Sequence, residues 1–353
     1  MSLSGFLLIV LGVSLRPNHA FFFGPSSMRC GGSSALRNVV ISSPQIVPRE
    51  CSYTIRASSF SVCQLRVDFD LTLAPPTVPS AANLALFTEC LDDVLQLGNF
   101  RLCGHDEKQH IYIDFDRQNG MRSIDISFRL ADRTINPSLT TPSWKLQITQ
   151  LECPRGSQPR TLIDELQPLT ISTRTFTNNQ FLLAPTGCSQ YFTEPSGIVT
   201  SFDYNNGNGA YTGNTNYAIC FRRQSSQDRL YLTSIHFELG VEPGLGLDPL
   251  GYINEVCYPQ VQTIGRSEDF LFIPQGTIAP DNIRASYFCG NSLDQKSVFC
   301  KILNEFFPCG FFFKTTFFIL ASSAGPIMMI FNSDAIYHAE SPESGFSFSY
   351  NIR

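Results

Sequence analysis

Side chains able to do acid–base or nucleophilic chemistry are sparse in this chain. Histidine occurs five times in 353 residues, at positions 19, 105, 110, 236 and 338. A hydrolytic site needs a base beside a nucleophile, or ligands spaced to grip a metal. The chain has no His-Glu-x-x-His, no Gly-x-Ser-x-Gly elbow, no Gly-Asp-Ser-Gly-Gly segment and no Ala-Ala-His-Cys. His105 and His110, five apart in HDEKQH, could be drawn as metal ligands; the plainer reading is a loop histidine and a strand-start histidine. No enzyme activity is expected. The plentiful reactive residue is cysteine. Twelve are too many for a reduced cytosolic chain of this length and read as disulfides formed in an oxidising compartment.

The elements that carry these residues read as strands. Gln64–Leu71, Ile111–Phe115 and Trp144–Thr149 each alternate apolar and polar residues with period two, which puts one face on a core and the other in water. Asn206-Gly207 and Asn208-Gly209 are turn signals, and 22 Pro with 24 Gly imply many more. Helical signals are few; Leu162–Leu169 has room for a turn or two before Pro168 stops it. Charged residues make up 16%, against about 25% in an ordinary soluble domain. The net charge of −5 builds no broad basic surface, so nucleic acid is not an expected partner. Gly5–Leu15 (GFLLIVLGVSL) is an apolar run of signal-peptide length, broken by Arg16-Pro17 and followed by a small residue at Ala20. Residues 1–20 are therefore expected to be a signal peptide, the alternative being a buried strand near a true N-terminus.

The chain echoes itself. Val39–Pro44 is echoed by Gly197–Phe202, Cys51–Arg56 by Tyr217–Arg222, Val67–Leu71 by Ile235–Leu239, Asp92–Leu95 by Glu268–Leu271, and Leu102–Gly104 by Phe288–Gly290, in the same order. Two homologous units are expected, at 28–153 and 184–353, with 154–183 as linker. The cluster Arg155–Arg160 in that linker reads as solvated, or as a protease-sensitive site. Asn136-Pro137-Ser138 is excluded as a glycosylation acceptor by its proline.

The first unit resembles a CUB domain, and the pair resembles the tandem-CUB secreted proteins of arthropods. The resemblance is carried by Cys30, Ser43-Pro44, Cys51-Ser52-Tyr53, Phe69, Cys90-Leu91-Asp92-Asp93 and Leu102-Cys103-Gly104, together with Ala184–Tyr191. It implies an all-β fold: two CUB-type antiparallel β-sandwiches, jelly-roll-like, held by disulfides. The implied bonds are Cys30–Cys51, Cys90–Cys103, Cys188–Cys220 and Cys257–Cys289; in the first unit Cys63 and Cys153 are left over and are expected to pair, and Cys300 and Cys309 lie in the Phe-rich stretch. Residues 295–320 read as an atypical insertion, Phe-rich as translated intron would be, before a closing pattern at Pro326–Asp334 and Gly345–Tyr350. A membrane helix over about 306–331 is opposed by Asn304-Glu305, Lys314 and Gly325-Pro326.

Many CUB domains hold one Ca²⁺ through a Glu and two Asp, hard oxygen donors suited to that cation. Aligning the repeats sets Ala74 opposite Glu242, Asp93 opposite Asp269, and Asp132 opposite Asp334. The resemblance thus implies Ca²⁺ in the second unit, on Glu242, Asp269 and Asp334, and none in the first. The expected function is that of a secreted, non-enzymatic protein binding extracellular proteins or carbohydrate. The alternatives are a regulatory or decoy relative of CUB-containing serine protease systems, or a structural component of a secreted matrix.

Overall fold

The structure is a computed structural model describing residues 27–79, 87–116, 120, 122–153, 180–240, 269–279, 283–284, 286–290, 318–321, 327–337 and 343–353. The expected signal peptide, the Leu162–Leu169 turn, Glu242, Cys257, Cys300, Cys309 and His338 lie outside the described residues. The described chain is all-β.

Residues 27–153 build two five-stranded sheets. One runs, in order, Ser27–Met28, Asn38–Ser42, Ser143–Glu152, Val62–Thr72, His105–Asp114. The other runs Ser33–Ser34, Glu50–Arg56, Ser123–Arg129, Val94–Leu97, Phe100–Leu102. Pairing is antiparallel except for the two-residue edge strands Ser27–Met28 and Ser33–Ser34, which are parallel to their neighbours. Period-two patterning does the folding. In Glu50–Arg56, Cys51, Tyr53 and Ile55 are buried while their neighbours face outward. The inward faces of the two sheets meet where Phe128 stacks on Trp144, ring centroids 4.0 Å apart. Such a pair contributes about 0.5–1.5 kcal/mol beyond the area it removes from water.

Residues 188–352 repeat the plan. The order Cys188–Phe192, Asn216–Phe221, Ile327–Asn332, Phe270–Phe272, Tyr287–Phe288 matches the second sheet above position by position. The order Ser196–Thr200, Gly345–Ile352, Leu230–Glu238, Phe318–Ala321 matches four strands of the first, and the hairpin Gly276–Ala279 and Ile283–Arg284 extends it. Phe221 against Tyr350, centroids 4.9 Å apart, closes this second sandwich.

The end of the expected insertion falls in this sheet. The strand Phe318–Ala321 occupies the place that His105–Asp114 takes in the first sandwich, pairing Leu230–Thr233 on one side and Gly276–Ala279 on the other. The expected insertion, 295–320, takes in three of its four residues. They pair backbone edges of two neighbours, and the rest of the expected insertion lies outside the described residues. Among the described residues no helix is long and apolar enough to cross a membrane. The end of the expected linker is likewise structured: Gln180–Leu182 is a 3-10 turn, and Leu183 packs beside Cys63, Cys153 and Cys188.

Four disulfides staple the sandwiches: Cys30–Cys51, Cys63–Cys153, Cys90–Cys103 and Cys188–Cys220. Cys289 is also disulfide-bonded. The two sandwiches share one apolar core, in which Phe202 contacts Phe69 at 6.2 Å and Phe100 at 6.0 Å.

Candidate functional site

The loops at one end of the second sandwich gather its buried acids. Asp269 immediately precedes the strand Phe270–Phe272, and Asp334 follows Ile327–Asn332, two strands that pair side by side. Pairing neighbours end together, so residues just beyond them meet. The backbone N–H of Asp334 donates to Asp269 Oδ1 at 2.6 Å. The hydroxyl of Tyr211, itself buried, donates to Asp269 Oδ2 and accepts the N–H of Gly240 at 2.8 Å. Asp269 is 1% exposed. Burial, then the charge of Asp334, pushes its carboxyl up to about 7, with Glu343 adding to the effect. No cationic side chain of the described residues pairs with Asp269.

Two of the three expected ligands, Asp269 and Asp334, are therefore brought together, and the third, Glu242, lies outside the described residues. Among the described residues no group of three or more His, Cys, Asp or Glu is assembled for a metal. The donors present are hard oxygens, and an acid buried without a cation suits Ca²⁺. Sequence reasoning misses Tyr211 and Glu343. Nothing local in the sequence marks either, because each reaches the site through a loop distant along the chain.

The first sandwich solves the same position differently. Asp93 precedes Val94–Leu97 as Asp269 precedes Phe270–Phe272, and it accepts N–H groups from Ala74 at 2.8 Å and Ala131 at 3.1 Å. Arg133 closes over it, Nη1 at 2.6 Å from Oδ1 and Nη2 beside Oδ2. Arg133 also donates to the carbonyls of Ala131 at 2.9 Å and Thr140 at 2.7 Å. A guanidinium thus supplies the positive charge here.

The backbone corrects two pairings of the sequence alignment. Ala131 donates to Asp93 as Asp334 donates to Asp269, so Ala131, not Asp132, is the counterpart of Asp334. Leu73 donates to Gly104 as Leu239 does to Gly290, which sets Ala74 opposite Gly240 rather than Glu242. The sequence alignment is thus two residues out of register at this strand end; a bulge between Ser234 and His236 adds a one-residue offset within the strand itself. Asp132 turns away to Arg49 and to the N–H of Thr134 at 2.8 Å. The histidines of HDEKQH do not converge: His105 meets Thr72 at 3.2 Å and Glu107 at 3.3 Å, while buried His110 accepts the N–H of Tyr191 at 3.0 Å.

A cleft of about 330 Å³ lies beside the acidic loops, between the sandwiches, lined by Phe87, Phe100 and Arg101 from one and Tyr211, Asn214 and Tyr217 from the other. Thr88, in its lining, donates to Glu343 of the second sandwich at 3.2 Å.

Residues 185–353 match the family model described as "Animal CUB domain". The second sandwich, its Cys188–Cys220 bond and the acidic loop end all fall inside the matched residues. Solved structures similar to the chain include the CUB1-EGF-CUB2 domains of rat MASP-1, at 13% identity, covering 92% of this chain and 100% of that one with a TM-score of 0.25. The CUB1-EGF-CUB2 domain of human MASP-1/3 has the same identity and TM-score and covers 90% of this chain. The MASP-1 CUB2 domain bound to Ca²⁺ is 19% identical and covers 34% of this chain and 98% of its own, with a TM-score of 0.21. No curated protein sequence matches the chain. A CUB domain supports a role in extracellular protein binding, and the disulfides fit an oxidising compartment.

Proposed function

We propose that the chain is a secreted, non-enzymatic protein of two CUB-type sandwiches, 28–153 and 184–353, joined through 154–183, that binds extracellular proteins. Its contact surface is the loop end of the second sandwich. Ca²⁺ is held there by Asp269 and Asp334, with Glu242 completing the set, and orders the loops that meet basic groups on a partner. The observation that carries this reading is the position of Asp269: buried, beside a second carboxylate, with no side-chain cation on it among the described residues. Its counterpart Asp93 has Arg133, so only the second sandwich asks for a metal. Binding on loops presented by a rigid sandwich is the usual arrangement.

Calorimetry tests the metal and capture tests the partner. Ca²⁺ titrated into the whole protein is expected to bind in the micromolar to millimolar range, and Asp269→Asn is expected to abolish the heat. Immobilised wild type should retain secreted proteins in calcium and release them in chelator, while Asp269→Asn retains none. No heat of binding removes the calcium reading; capture indifferent to both chelator and Asp269→Asn places the contact surface elsewhere.

A further inference from the structure

Two acids face each other across the contact between the sandwiches, and neither hydrogen-bonds to Asp269 or Asp334. Asp106 belongs to the strand His105–Asp114 of the first; Asp203 follows Ser196–Thr200 of the second. They are 2% and 5% exposed. Each accepts a backbone N–H from the other's segment: Asp203 donates to Asp106 Oδ1, and His105 donates to Asp203 Oδ1, both at 2.7 Å. A cleft of about 300 Å³, lined by Asp106, Lys108, Tyr204 and Asn205, opens on one side of the contact, and the other is close. Gly104 lies against Asp203, where any β-carbon would come within 2.2 Å of that carboxyl. Among the described residues, the second oxygen of each acid, Oδ2, is buried with no hydrogen-bond donor.

The titratable and charged groups around them do not neutralise the pair. On the same strand, His105 is engaged with Thr72 and Glu107, and Lys108 uses its backbone N–H on Asp70 of the neighbouring strand. From the second sandwich come Tyr204, whose ring lies 5.3 Å from that of His236, and Tyr217, whose hydroxyl is raised by burial and by Asp106. Among the described residues, no Lys, Arg or His forms an ion pair with either acid. Two carboxylates so enclosed cannot both stay ionised without a large desolvation cost.

We propose that Asp106 and Asp203 form a proton-holding clasp that docks the two sandwiches and loosens as the pH rises above neutral. Burial raises Asp106 to about 7; burial and the charge of Asp106 raise Asp203 to about 8. Both lie above the free value of 3.8, so docking takes up protons, and its constant falls as pH climbs through these values. His110, at the same contact, acts in the opposite sense. Burial lowers it from 6.5 to about 4, so docking releases its proton only below 6.5. Above that pH the acids act alone, and each proton taken up changes the docking constant about tenfold per pH unit.

Hydrogen–deuterium exchange of the whole protein between pH 6.5 and 8.5, corrected for intrinsic base catalysis, reads this directly at the amides of His105 and Asp203. Their opening constant is expected to rise about tenfold per unit over the first unit or so, while core amides of Ser143–Glu152 do not follow. Asp106→Asn keeps an oxygen for the Asp203 N–H and adds a donor for the facing carboxylate. Asp203→Asn does the same in reverse. Each variant leaves one buried acid with a new donor, so both should stay closed with a profile clearly shallower than wild type, and either suffices if the other fails to fold. A flat wild-type profile, or a variant with the wild-type slope, overturns the proposal. The outcome is independent of calcium binding.

Discussion

Arg133→Ala is the sharpest test of the claim that the first sandwich carries its own cation. The substitution leaves Asp93, whose side chain is 0% exposed, with only two backbone donors. Removing one partner of a buried pair costs about 3–5 kcal/mol. Arg133 retains 23% exposure, so the expected loss sits near the bottom of that range, about 3 kcal/mol. For a sandwich of this size that is roughly a 10 °C drop in its melting transition. Scanning calorimetry on the whole protein reads it. Asp93→Asn supplies the control: with no charge to neutralise, adding Arg133→Ala should cost under about 1 kcal/mol, and the difference between backgrounds is the coupling. A single-variant loss below about 0.5 kcal/mol, or an equal loss in both backgrounds, refutes the reasoning. In either case Arg133 would be a surface arginine that happens to lie over Asp93.

Three further outcomes follow from the same geometry. Without metal, Asp269 titrates near 7, above its free value of 3.8, so its share of stability fades as pH rises through 7 and Ca²⁺ should restore it; calorimetric affinity for Ca²⁺ should climb about tenfold per unit up to pH 7 and flatten above it. Replacing Cys63 and Cys153 together by alanine opens a bond spanning 90 residues and should lower the free energy of unfolding in urea by about 4 kcal/mol. Gly104→Ala should raise exchange at the His105 amide, because Gly104 has φ +75° and no space beside Asp203, with a cost of about 1–2 kcal/mol for the backbone alone.

The strands are legible in the sequence because strand formation is local. Alternation in Val67–Leu71 and Trp144–Thr149 is enough to put one face in a core, and both segments lie in long central strands. The turn at Asn206-Gly207 is legible too: Asn205, Asn206 and Gly207 all take positive φ, which these residue types tolerate. Phe318–Ala321 is not legible as a strand, because a four-residue apolar piece inside a Phe-rich stretch has no period to read.

The sequence by itself determined the all-β class, the succession of strands and turns, and the presence of Asp93, Asp269 and Asp334 beside strand ends. Those are properties of neighbours along the chain. Only the tertiary structure decided which side chain meets each acid. Arg133 over Asp93, Tyr211 on Asp269 and Asp203 against Asp106 join residues 40, 58 and 97 positions apart. The backbone pairing moved the counterpart of Ala74 by two residues, from Glu242 to Gly240. Charge compensation inside a protein is set by distances of a few ångströms and by what excludes water there, and neither is written in spacing along the chain.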